Sequence, residues 1–229
     1  MTVTRLILTC EHAVNTVPPT YLPLFKQAMP VLDTHRGIDI GAAAIASKIS
    51  QTLGCFLTCA TITRLLIDCN RSVKGQCFSE FSKTLSPLEK KQLIHDHYTP
   101  FRKRVYDEIT RSLNCGERVL HLSIHSFTPV LNGVTRQTDI GLLYDPKRPS
   151  ERAIAQAWRR QLTPHYRVRM NYPYRGTSDG HTTALRQLFH DDCYSGLELE
   201  CNQALSGVTR SLQILSQIIT DSVVRLMSS

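Results

Sequence analysis

Four stretches of this chain bring together residue types that can do chemistry. Glu11 and His12 follow the apolar run Val3–Cys10, and Asp68, Asn70 and Arg71 close the apolar stretch 57–68. His125 follows Arg118–Ile124, and Glu198 and Glu200 sit two apart in GLELEC, residues 196–201. Two histidines plus a carboxylate make a catalytic zinc site that keeps one position open for water. The metal brings that water's pKa to roughly 7, and a second carboxylate can then take its proton. An arginine on the same rim grips a substrate carboxylate through two parallel hydrogen bonds. Each residue also has a plainer reading. A strand-end histidine can simply cap an edge, and two glutamates on one strand face can be solvated. Asp68 can brace Arg71 through a salt bridge. Cys10 lies near His12, yet a thiol inside a strand lacks the electropositive, exposed setting that activates it. His95 and His97 sit among charged residues and read as surface groups. GxGxxG and phosphate-cradling glycine loops are absent.

The elements that must position these residues can be read from pattern. Val3–Cys10 reads as a first strand, and Asn15–Pro23, with three prolines, as loop. Ile38–Leu53 has helical spacing with Gly54 as C-cap, so Asp39 falls in its first turn. Residues 57–68 read as a second strand or strand pair, and 72–86, polar and rich in Ser and Lys, as a mobile loop. Ser86, Pro87 and Glu89 form a helix start, N-cap, N1 and N3, with the helix running through Tyr98 and, after a break at Pro100, to Leu113. Strands are expected at 118–124, 139–144, 166–170 and 196–201, and helices at 150–162 and 207–226. Strands alternating with helices predict an α/β fold: a mixed, mostly parallel sheet flanked by helices. Ligands in such sheets bind beyond the strands' carboxyl ends. That is where the histidines, the arginine and the glutamates fall.

Composition narrows the class. At 229 residues the chain fits one domain, 1–229, and 41% hydrophobic and 20% charged residues are ordinary for a globular protein. No apolar run reaches the ~18–20 residues of a membrane helix, and the N-terminus reads as a strand rather than a signal peptide. The net charge of +8 is spread along the chain. Nucleic-acid binders cluster it with aromatics, so no nucleic acid or membrane partner is expected. A basic surface can still draw small anionic substrates. Eight cysteines without a CxxC pair read as free thiols in a reducing cytoplasm.

The segments CEHAVNTVP (10–18), HRGIDIGAA (35–43), TRLLIDCNRS (63–72), HLSIHSFTP (121–129), NYPYRGTSDGHT (171–182) and LELECNQAL (197–205) together resemble the N-formylglutamate amidohydrolases. The resemblance implies a zinc carboxypeptidase-like fold, shared with aspartoacylase. It implies one zinc and hydrolysis of an N-formyl-glutamate-like substrate to formate and glutamate, late in histidine breakdown. His12 and His125 match the metal histidines. The third ligand is Asp39 or its rival Glu11; Asp39 is preferred, because adjacent residues on an extended segment diverge. Glu200 resembles the general base, with Glu198 as the alternative. Asn70 and Arg71 resemble the pair that holds the substrate carboxylate, and Arg175 and Tyr174 in the PYRG loop join them. After the glutamate this chain reads Cys201-Asn202-Gln203, without the arginine the family tends to place there. A metallocarboxypeptidase or another N-acyl amino acid deacylase is the enzymatic alternative. A non-catalytic binding domain of the same fold is the alternative from another class. Oligomeric state leaves no mark in the sequence.

Overall fold

A computed structural model describes residues 4–228. Its main strands are β1 (Thr4–Cys10), β2 (Phe56–Cys59), β3 (Arg118–Phe127), β6 (Ile140–Leu143), β7 (Val168–Met170) and β8 (Tyr194–Asn202), with the short β4 (Val130–Leu131) and β5 (Val134–Thr135) between β3 and β6. The six main strands form one sheet in the order β2-β1-β3-β8-β6-β7, and β4 and β5 pair as a hairpin apart from it. The first four in that order run parallel, and β6, itself parallel to β7, is antiparallel to β8. The expected mixed, mostly parallel sheet flanked by helices is the one that forms.

The central strands are buried on both faces, as parallel strands covered by helices must be. Their two faces differ in kind. Leu120, Leu122 and Ile124 of β3 and Leu197 and Leu199 of β8 join a core that takes in α1 (Ala42–Leu53), α4 (Pro149–Leu162) and α6 (Thr209–Met227). Trp158 of α4 is fully buried and donates its Nε1–H to Ser222 of α6 at 2.7 Å, so its one polar atom is satisfied. The alternate residues, His121, Ser123, His125, Glu198 and Glu200, point to the other face, toward α3 (Thr99–Asn114) and the short α5 (His181–Arg186).

Several expectations are corrected. Of the Val3–Cys10 strand, Val3 lies outside the described residues. Asn15–Pro23 is only partly loop, because Pro19–Phe25 forms a 3-10 helix. Asp39 lies before α1 rather than in its first turn, since Gly41 is the N-cap at φ +87° and the chain turns there. The second strand ends at Cys59, and 60–69 fold as buried turns. Their apolar side chains, Leu65, Leu66 and Ile67, fill a second core with Phe25, Cys77 and Phe101. A short apolar run carries no period that separates buried turn from strand. Residues 72–86 pack against the same core: Ser79 and Ser82 both donate to the Leu65 carbonyl.

The Ser86–Glu89 capping box is formed and opens α2 (Pro87–Leu93). Pro100 does not break the helical run. A π-helical turn, Ile94–Tyr98, joins α2 to α3, with the Thr99 N–H reaching back five residues to Ile94. Widening by one residue relieves the clash a proline ring makes with the preceding turn.

Gly141 of β6 shows how tightly the segment after β7 approaches the sheet. A Cβ there would overlap the Tyr172 carbonyl oxygen and crowd Glu200 Cβ at 3.2 Å. Gly141→Ala is therefore expected to cost roughly 1–3 kcal/mol of stability, as overpacking does. Denaturant unfolding reads this directly, and a wild-type midpoint would mean that the segment yields freely.

Candidate active site

Strand alternation and register assemble the site. β3 pairs with β8 so that His125 faces Glu200 and Ser123 faces Glu198. His12 stands two residues beyond β1, and the Asp39 N–H donates to its carbonyl at 3.1 Å. The Ser126 N–H donates to Asp39 Oδ2 at 3.3 Å, so Asp39 is fastened through both its backbone and its side chain. Asp39 thus reaches the histidines from outside the sheet.

Asp39 Oδ2 lies 3.1 Å from His12 Nδ1 and 2.8 Å from His125 Nδ1. One donor atom from each of these three buried residues lies within 4.8 Å of the others. The far sides of both rings are occupied too. His12 Nε2 meets Asp68 Oδ1 at 2.8 Å. His125 Nε2 meets Ser123 Oγ at 2.8 Å and Glu11 Oε2 at 3.4 Å, and Ser123 Oγ donates to Glu11 at 2.6 Å. Metal-binding histidines have this construction, with one nitrogen inward and the other held by a carboxylate or hydroxyl that fixes the tautomer. Glu11 accordingly stands behind His125, also meeting His181 Nδ1 at 3.3 Å, while Asp39 occupies the convergence. The donor set, two imidazoles and one carboxylate, fits a catalytic zinc.

The field favours a cation. Burial alone would raise Asp39 and Glu11, yet His12 and His125 hold Asp39 far below the usual carboxylate range, and His181 and His125 do the same for Glu11. Asp68, also buried, is lowered by His12 and Arg64. Burial disfavours charge on His125, but Asp39 and Glu11 push it up to about 10. Such a site holds protons that a metal would displace. Glu200 behaves oppositely: burial raises it to about 8, with Asp39 and Glu198 adding to the rise, and its Oε2 has no hydrogen-bond partner.

All four carboxylate and imidazole candidates of the convergence and the base, His12, Asp39, His125 and Glu200, line one pocket. Glu198, Asn70, Arg71, Tyr174 and Arg175 line it as well, and Glu11 does not. Glu198 is tied to the Thr182 hydroxyl, which leaves Glu200 the less encumbered of the two. Asn70 is committed to the scaffold, its Oδ1 accepting from the His181 N–H at 2.8 Å. The Arg71–Asp68 salt bridge is not formed. Asp68 is taken by His12 and Arg64, and Arg71 donates to the Asp179 carbonyl instead. Cys201 faces the apolar core, Asn202 binds the Thr138 carbonyl and Gln203 donates to Ser126 Oγ, so these positions brace the wall.

Arg64 escaped the sequence reading. Its Nη1 lies 3.0 Å from His12 Nδ1 and its Nη2 donates to Asp68 Oδ2 at 3.0 Å. Burial disfavours its charge, but Asp68 and Asp39 hold it protonated. A charged residue inside the apolar run ITRLLID, four before an aspartate, was the available signal.

A buried two-histidine, one-carboxylate group at the strand ends of an α/β sheet could hold a metal ion. The sequence profile described as N-formylglutamate amidohydrolase matches residues 4–206, and the chain belongs to that family. Among solved structures, gene product Atu2144 from Agrobacterium tumefaciens is similar at 27% identity and TM-score 0.85, covering 99% of this chain and 92% of that one. An N-formylglutamate amidohydrolase from Ralstonia eutropha JMP134 shares the fold at 18% identity and TM-score 0.79, covering 100% of this chain and 94% of that one. No curated protein sequence matches the chain.

Asp39 and Glu11 should separate in a metal titration. Asp39→Asn is expected to abolish zinc retention under chelator competition, and Glu11→Gln to weaken it about 10–100-fold. The reverse order would exchange their roles.

Proposed function

We propose that this chain is a zinc-dependent amidohydrolase that removes the formyl group from a small acidic N-formyl amino acid, N-formyl-L-glutamate foremost. The observation that carries the reading is the convergence of His12, Asp39 and His125 beside the unpartnered, weakly acidic Glu200. Family membership supports the substrate class.

His12, Asp39 and His125 would hold the ion, which when bound supplies Lewis acidity and an acidified water. Glu200 accepts the proton as water attacks the formyl carbon, then delivers it to the departing amine nitrogen. A carboxyl that titrates near neutrality suits both transfers. Arg64, fixed by Asp68 beside His12, supplies positive charge where the carbonyl oxygen becomes an oxyanion. Arg71 and Arg175, on the pocket wall beside Tyr174, hold the substrate carboxylates. Formate and the free amino acid leave. A reducing cytoplasm suits a chain whose eight cysteines are all free, and no described helix is long and apolar enough to cross a membrane.

The test compares N-formyl-L-glutamate with N-acetyl and N-succinyl analogues and with the matching α-carboxamide, reading released amine. Glu200→Gln should keep its metal and lose turnover by about 10²–10⁴-fold. Arg71→Lys should raise KM for the free carboxylate and leave the carboxamide nearly unchanged, because lysine offers a point charge in place of a fork. Near-normal kcat in Glu200→Gln would move the base elsewhere. Equal damage to both substrates in Arg71→Lys would reduce Arg71 to a brace.

A further inference from the structure

The turn that carries Arg71 is gripped from behind by a helix with no part in the site itself. Asp68–Arg71 is internally held by the Arg71 N–H on the Asp68 carbonyl at 3.1 Å and the Asn70 N–H on Asp68 Oδ1 at 2.8 Å. Three further donors come from the rod of α2, π turn and α3. Tyr98 Oη donates to the Arg71 carbonyl at 2.8 Å, and Arg102 Nη2 donates to the same oxygen at 3.0 Å. Arg102 Nε donates to the Cys69 carbonyl at 3.1 Å. Tyr98 and Arg102 are four apart, on one face, with the guanidinium 4.7 Å from the ring centroid. Tyr98 is the last residue of the π turn and Arg102 lies one turn into α3, so the extra residue of that turn sets the direction of both. π turns inside helices are frequent at functional sites.

We propose that Arg102, seconded by Tyr98, is the positioning residue for the arginine that binds the substrate carboxylate. The proposal rests on the substrate role proposed for Arg71. Two donors on the Arg71 carbonyl and one on Cys69 fix the plane of the peptide from which the Arg71 side chain departs. At its far end the guanidinium meets the Asp179 carbonyl, and Asp179 in turn accepts from Ser72 N–H and Oγ. Arg71 is therefore held at the root and guided at the tip, ready to meet a carboxylate without searching rotamers. Arg102 forks to two carbonyls, a geometry lysine cannot copy.

The test is a double-mutant cycle on the zinc-loaded enzyme, reading KM and kcat for N-formyl-L-glutamate and for its α-carboxamide, with zinc content as a control. Arg102→Ala is expected to raise KM for the free carboxylate by about tenfold, the worth of a charge-assisted hydrogen bond. Zinc content, kcat and the carboxamide KM should stay near wild type. In an Arg71→Ala background, Arg102→Ala should add nothing. Tyr98→Phe removes one hydroxyl and keeps the ring, so it covers the case in which Arg102→Ala fails to fold. It should give a smaller KM rise that also vanishes without Arg71. Equal KM factors with and without Arg71, or an unaltered KM in folded Arg102→Ala or Tyr98→Phe, would overturn the proposal alone. An unaltered KM in Arg71→Ala would overturn the substrate role of Arg71, and the proposal with it.

Discussion

Three carboxylates, Glu11, Asp39 and Asp68, lie buried within reach of two histidine rings at the ends of β1 and β3. A low-dielectric interior tolerates ionised carboxylates only when cations or strong donors stand beside them. Arg64 is one such cation, paired with Asp68 and Asp39, and the protonation that Asp39 and Glu11 induce on His125 supplies another. The same field that keeps protons on imidazole would draw a divalent cation into their place. Much of the architecture serves to hold this cluster. The Asp39 turn is stitched to His12 and Ser126, Ser123 bridges Glu11 and His125, and the buried turns at 60–69 carry Arg64 and Asp68 inward.

The sheet makes the cluster possible by having unlike faces. One face of β3 and β8 packs aliphatic side chains against α1, α4 and α6. The other carries His121, Ser123, His125, Glu198 and Glu200, all buried. Deeper in that face His121 is satisfied by Thr9 at 2.9 Å and Tyr194 Oη at 2.8 Å, and burial lowers it to about 3, so it remains neutral. Neutral histidine and hydroxyl groups thus lie below, and charged groups gather at the strand ends where substrate would enter. Glu200 sits between these regimes, buried and without a partner for Oε2. Its affinity for a proton comes from that position.

The strands and most helices were legible because burial on both faces, capping residues and helical spacing leave local marks: the Ser86 box and the Gly54 cap are examples. Alternation in HLSIH and ELE shows that His121, Ser123, His125, Glu198 and Glu200 share a face, though it cannot say that this polar face is buried. The metal candidates were legible from residue type at strand ends and from the family resemblance. Arg64, Asp68 and His181 were harder, because their roles come from turns and from α5, whose geometry no periodicity encodes. The strand or strand pair expected at 57–68 forms only as far as Cys59 for the same reason: the apolar residues beyond it serve a second core through turns. Pro100 misled because a π turn lets the helix carry a proline that would otherwise end it.

We propose that His12, Asp39 and His125 bind a zinc ion as two imidazoles and one carboxylate. X-ray absorption at the zinc edge of the metal-loaded protein tests it most directly. The expected result is a shell of about two imidazole nitrogens and one carboxylate oxygen, all at roughly 2.0–2.2 Å. A shell lacking imidazole, or a sulfur at about 2.3 Å from a cysteine such as Cys10 or Cys59, would contradict it.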